Sequence, residues 1–167
     1  VPTSILNIAA SLDGKYQWVI VAGPCTAAPN TQIESYLETG DFKYFGFTVM
    51  PGPQLRQAIP VSKAIKEKYP DTYMVWGGYF PSTQPKAVLE SGYVDFIING
   101  PGDHAFPLLI DALENNTPYE FIKNIIYRAN GDIIKNGKED LIDQETLPPL
   151  PYDSLGKFYP MEKYLGR

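Results

Sequence analysis

Cysteine is nearly absent from the 167 residues, and the single Cys25 excludes an internal disulfide framework or a Cys-rich zinc or iron–sulfur site built from this chain alone. A reducing compartment fits that scarcity. Histidine is just as rare, with His104 alone. Basic residues are outnumbered, 14 Lys and Arg against 19 Asp and Glu, for a formal net charge of -5. The clustered positive charge that displaces counterions from a phosphate backbone is therefore missing, and nucleic acid is disfavoured as a partner. No run of about 18 apolar residues is present, and the N-terminus carries neither the basic nor the apolar region of a secretory signal. These absences describe a cytoplasmic chain with no membrane partner.

Hydrophobic residues make up 44% of the chain, enough for one substantial core, so one domain plus a tail is expected. The 16 prolines and 12 tyrosines are many for this length, and the prolines gather in loops and toward the C-terminus. Ile5, Ile8, Ala9 and Leu12 follow helical spacing, with Thr3 or Ser4 to cap the start and Gly14 to end it. The apolar run Trp18-Val-Ile-Val-Ala22 predicts a strand buried on both faces of a parallel sheet. Thr31 is placed to cap a short helix reaching Glu38, and Tyr44-Phe-Gly-Phe-Thr-Val-Met50 predicts the next buried strand. Leu55, Ala58, Ile59, Ser62 and Ile65 mark one helical face, with Pro60 expected to bend that helix or delay its start.

The pattern then repeats. A strand at Tyr73-Met-Val-Trp76 precedes a short helix from Lys86 to Glu90, and a strand from Val94 to Ile98 precedes a helix from His104 to Glu114 with Asp103 as its cap. Strands alternating with helices at this spacing predict an α/β fold: a three-layer α/β/α, Rossmann-like (flavodoxin-like) parallel sheet. Beyond it, Ile125-Ile-Tyr127 and Ile133-Ile134 flank Asn130-Gly131, which predicts a type I′ β-hairpin added at the sheet edge. Leu147-Pro-Pro-Leu-Pro-Tyr152 has no helical or strand periodicity and reads as a proline-rich linker that leans on something.

Ligands of an open α/β sheet bind beyond the carboxyl ends of its strands. Those positions hold Thr48, Val49 and Met50, then Gly77, Gly78 and Tyr79, then Gly100, Pro101 and Gly102. Glycines there let backbone amides approach a large ligand, and three such edges make a groove for something bulky. Each loop taken singly has a plainer reading, since βα turns need glycine for their own geometry. Acid–base equipment is sparse. His104 and Asp103 sit where helix-start residues sit, and Cys25 has no thiol or histidine near it in sequence to activate it. No catalytic and no metal-ligating residue is assigned. Gly100-Pro-Gly-Asp-His-Ala105 matches the dinucleotide fingerprint in form only, because it lies in the last βα unit and Pro101 removes a backbone donor.

In order and spacing these segments resemble the B12-binding domain that precedes the radical-SAM barrel of cobalamin-dependent radical-SAM enzymes. The resemblance is carried by Pro2-Thr-Ser-Ile-Leu-Asn-Ile-Ala-Ala-Ser-Leu12, Phe45-Gly-Phe-Thr48, Val75-Trp-Gly-Gly-Tyr-Phe-Pro81, Val94-Asp-Phe-Ile-Ile-Asn-Gly-Pro-Gly-Asp103 and Leu147-Pro-Pro-Leu-Pro151. It implies that Thr48 hydrogen-bonds the nucleotide tail of cobalamin, that Gly77 and Gly78 let the tail run against the backbone, and that Gly100, Pro101 and Gly102 line the same channel. It also implies that the family's first strand and its loop would precede Val1, leaving either a piece of a longer chain or a sheet completed in another way. No protein imidazole on the cobalt is expected, His104 being in the wrong loop.

The three-cysteine cluster motif of the family does not occur. The 4Fe-4S cluster and S-adenosylmethionine would accordingly belong to a downstream radical-SAM domain of the same polypeptide, an enzyme of methyltransferase or related type. The expected division is a cobalamin-binding domain over residues 1–118, a hairpin extension over 119–140 and a linker over 141–167. The alternatives are a flavodoxin-like flavin or nucleotide-binding module and a ligand-free interaction domain. A receiver domain fails on position, because Asp41 and Asp95 lie before or early in strands.

Overall fold

The computed structural model describes residues 3–21, 28–140 and 144–157. Its elements run α1 (Thr3–Leu12), α2 (Pro29–Glu38), β1 (Tyr44–Thr48), α3 (Pro53–Lys68), β2 (Tyr73–Gly77), α4 (Tyr79–Thr83), α5 (Pro85–Leu89), β3 (Phe96–Ile98), α6 (Ala105–Glu114), β4 (Ile125–Ala129), β5 (Asp132–Lys135), a 3-10 turn (Gln144–Thr146) and α7 (Tyr152–Gly156). The five strands form one sheet in the order β1-β2-β3-β4-β5. β1, β2 and β3 are parallel, and β4 and β5 continue the sheet antiparallel. The fold is α/β with a mixed sheet, parallel where the βα units are and antiparallel where the hairpin adds to its edge.

Alternation along the strands explains the layers, because successive side chains point to opposite faces. Met74, Trp76, Ile97 and Ile126 face one way and pack with Ile33 and Leu37 of α2, Ala58 and Ile65 of α3, and Val88 and Leu89 of α5. Val75, Phe96, Ile98, Ile125 and Tyr127 face the other way and pack with Ala105 and Leu109 of α6. Burial on both faces is what makes the parallel strands read as continuous apolar runs. β4 contributes to both layers, so the hairpin fills core as well as extending the edge. Asn130 and Gly131 have φ of 53° and 88°, the double left-handed conformation that a type I′ turn requires.

Four local expectations need correction. Residues 17–21 join no ladder, so the strand predicted from Trp18 is absent over its described part, while Ala22 lies outside the described residues. A strand needs a neighbour to hydrogen-bond, and β1 pairs only with β2 among the described residues. The run is still used for its apolarity: Ile20 is buried with Leu6 and Ala9 of α1. Thr31 does not cap α2, which begins at Pro29 after Ala28, with proline in the first turn where its missing N–H is harmless. Asp103 does not cap α6; His104 holds that position without a side-chain cap bond. Of the two outcomes expected of Pro60, the delayed start does not occur, since α3 runs from Pro53 through Pro60, which is exposed.

The proline-rich stretch does lean on something. Leu155 of α7 is fully buried in the cluster of Leu6, Ala9 and Ile20, with Leu150 beside it. Ser154 adds a hydrogen bond to Asp13 at 3.3 Å.

Candidate functional site at the strand carboxyl ends

Register brings the three predicted loops together. Thr48 is paired with Gly77 and Gly77 with Ile98, so β1, β2 and β3 end side by side. Val49 extends the pairing by donating its N–H to Gly77 O at 2.8 Å, and its carbonyl accepts from Phe80 N at 3.2 Å. Its side chain is completely buried in the α2/α3/α5 layer. Val49 thus builds the rim with its backbone and turns its side chain into the core. Met50 and Tyr79 are exposed on that rim, at 45% and 62%. Cys25 lies outside the described residues.

The two glycines after β2 have different roles. A Cβ on Gly78 would stand 2.9 Å from Val49 O and 3.0 Å from Val49 N, and its φ is +99°. Gly78 is therefore required by the close approach of the two loops themselves. A Cβ on Gly77 would meet only strand atoms, none nearer than 3.8 Å, and no described helix atom lies within 4 Å. Gly77 is on the α6 face with Thr48, whose hydroxyl has no hydrogen-bond partner among the described residues.

Two helix side chains flank this strip on the same face. A Cβ on Gly46 would meet Phe106 of α6 at 3.4 Å, and one on Gly102 would meet Ile8 of α1 at 3.0 Å. The result is a short floor of backbone and one hydroxyl, walled by an aromatic ring on one side and an aliphatic chain on the other. α1 is clasped to α6 by Asp111, which accepts from both Lys15 and Tyr16. Those bonds hold the Asp111 carboxyl below the usual range, and the bond to Asp111, with burial, pushes Tyr16 up to about 12.

The polar residues singled out in the sequence are occupied elsewhere. His104 Nδ1 lies 3.2 Å from a Glu139 carboxylate oxygen on the exposed side of the third loop. Asp95 accepts from Met74 N at 2.7 Å and pairs with Lys66 at 3.0 Å, tying the starts of β2 and β3 together. Among the described residues no group of three or more His, Cys, Asp or Glu is placed to hold a metal ion, and no helix is long and apolar enough to cross a membrane. A second groove, beside Leu108, Asp111 and Asn115, lies along α6 away from the strand ends. Ile8, Phe106 and Asn124 join the site without having been foreseen; nothing in their spacing separates a wall residue from a core residue.

Residues 1–110 match the family described as the B12 binding domain. An uncharacterized methyltransferase of Pyrococcus horikoshii is 24% identical over 165 residues, 98% of this chain and 35% of that protein. The anaerobic magnesium-protoporphyrin IX monomethyl ester cyclase of a Synechocystis species is 32% identical over 72 residues, 42% of this chain and 14% of the cyclase. OxsB, a cobalamin-dependent S-adenosylmethionine radical enzyme solved with aqua-cobalamin and S-adenosylmethionine, superposes with a TM-score of 0.75 at 20% identity, over 95% of this chain and 23% of its own. The radical S-adenosylmethionine methyltransferase TsrM of Kitasatospora setae superposes with a TM-score of 0.68 at 18% identity, over 81% of this chain and 27% of its own. At these identities the structural likeness establishes the fold, and the chain spans about a third or less of each of these proteins. The family match, by contrast, rests on sequence and takes in α1 and all three parallel strands: the chain belongs to the B12-binding domain family.

Proposed function

We propose that this chain binds cobalamin by laying the cofactor's nucleotide tail along the α6 face of the sheet, over Gly77 and beside the Thr48 hydroxyl. The observation that carries the reading is the open backbone at Gly77, with no described helix atom within 4 Å of a Cβ there, between Phe106 of α6 beside Gly46 and Ile8 of α1 beside Gly102. A long amphiphilic tail requires depth, small residues and a few hydroxyls, and these residues fit it. Thr48, Gly77 and residues 100–102 would line the channel, Met50 and Tyr79 would meet the bulk of the ring system at the rim, and Val49 and Gly78 would keep the rim in shape. When bound, cobalamin supplies a cobalt centre able to carry an alkyl group. This chain contributes grip, orientation and exclusion of water, with no imidazole of its own on the cobalt.

On this reading residues 1–118 and the hairpin of residues 119–140 are the cofactor domain of a larger cytoplasmic enzyme. Residues 141–167 lead toward a radical-SAM domain that holds a 4Fe-4S cluster and S-adenosylmethionine, and the reaction is methyl transfer or a relative of it. The B12-binding family match favours this over a flavin module or a ligand-free interaction domain.

The test uses the intact polypeptide with whatever flanks residues 1–167 in its gene, incubated with hydroxocobalamin, desalted, and read by its visible spectrum. The parent is expected to keep the colour. Gly77→Ala adds one methyl with no neighbour closer than 3.8 Å, so it is expected to fold normally while its affinity falls roughly tenfold as that methyl occupies the tail's path. Gly78→Ala would lose binding through distortion of the loop and says nothing about the channel. A colourless parent sinks the cobalamin assignment; a Gly77→Ala variant as tight as the parent sinks the path.

A further inference from the structure

We infer that Asn124 is the positioning residue of the third cofactor loop, acting from the hairpin and never from the cofactor itself; the inference rests on the cobalamin reading above. Asn124 is buried, 2% exposed, in a left-handed conformation with φ of 63°. Every polar atom it has is engaged. Its N–H donates to Gly137 O at 2.9 Å and its carbonyl accepts from Asn99 N at 2.7 Å, which carries the β3–β4 pairing one step past Ile98 and Ile125. Its side-chain Nδ2 donates to Pro101 O at 3.3 Å, and its Oδ1 accepts from Glu139 N at 2.9 Å.

The side chain lies directly beneath the loop, since a Cβ on Gly100 would touch Asn124 Cγ and Oδ1 at 3.4 Å. Glu139 then closes the bracket from outside by pairing with His104, the residue that opens α6. One residue thereby joins the end of β3, through its main-chain carbonyl, to the turn at Gly100 and Pro101 and the chain returning from β5, through its side-chain amide. A loop made of glycine and proline has no side chains with which to fix itself, and its backbone position is set by what holds its carbonyls. Asn136 is a useful contrast. It braces the same hairpin by donating to Tyr119 O at 3.0 Å and Ile122 O at 2.7 Å, neither of which belongs to the cofactor loop.

The decisive pair is Asn124→Gly and Asn136→Ala in the intact polypeptide, measured for thermal midpoint and for the dissociation rate of hydroxocobalamin well below that midpoint. Glycine keeps the left-handed backbone and both main-chain bonds, so Asn124→Gly removes only the two side-chain bonds. Cofactor release is expected to accelerate roughly fivefold in Asn124→Gly and to stay at the parental rate in Asn136→Ala, whatever each does to the midpoint. Asn124→Asp, which keeps the acceptor for Glu139 N but faces Pro101 O with an oxygen, is expected to release at least as fast as Asn124→Gly. Release rates that follow the thermal midpoint in both variants would make Asn124 a stability residue only and overturn the inference. A parental protein that holds no cobalamin would instead fail the underlying assignment.

Discussion

At the scale of single residues, Ser62 is a buried polar chain that the apolar pattern hides. Ser62 is fully buried on α3, where its hydroxyl accepts from Trp76 Nε1 at 3.0 Å and lies 3.6 Å from Met74 Sδ. In the sequence Ser62 counts as one more position on a helical face between Ile59 and Ile65. In the fold it keeps the indole N–H of Trp76 on β2 from being buried without a partner. Ser62→Ala is expected to cost about 1–3 kcal/mol, a cost set mainly by the stranded donor. Urea unfolding would register it as a lower midpoint at unchanged slope. The glycines show the same limit on reading residues one by one. Gly77 and Gly78 are indistinguishable as letters, yet one leaves open floor and the other relieves a backbone contact, a distinction visible only once Val49 is placed.

Among the elements, those whose local signal agrees with a partner in the fold were legible, and those whose local signal finds no partner were not. α1, the β2 and β3 strands and the Asn130-Gly131 hairpin follow from periodicity or turn chemistry that is local. Trp18 to Val21 has the composition of a buried strand, but strand formation is settled by pairing, and composition carries no information about that. The clasp between α1 and α6 was equally invisible, since Tyr16 and Asp111 are far apart in sequence. Asp111 titrates below its usual range, so its contribution is complete above the unfolded carboxylate value near about 4 and disappears as pH falls through the folded value. Tyr16 is raised, so its contribution is present below about pH 10 and lost as pH climbs through about 12. The stability difference between the parent and Asp111→Asn is expected to be full at neutral pH and to shrink below about pH 4 and again above about pH 10. Urea titrations at acid, neutral and alkaline pH check it; a difference independent of pH would mean the clasp contributes no ionic stabilisation.

For the molecule as a whole, the three-layer architecture was readable because alternating strands and helices admit few arrangements, and the strand ends then locate the site. The groove's walls were not, because Ile8 and Phe106 come from helices whose docking angle no periodicity encodes. Joining parallel strands to an antiparallel hairpin also gives the sheet two ends of different character in time. β4 and β5 meet across a two-residue turn, a closure that takes microseconds, whereas each parallel pairing waits for a crossover helix to form and dock. Pulse-labelled hydrogen exchange during refolding is expected to find the amides of Tyr127 and Ile134 protected before those of Phe45 and Phe47. Since Asn124 enters β4 and is bonded to Gly137 and Glu139 within the same hairpin, the bracket that later grips Pro101 would be built before the strand that carries Thr48 arrives.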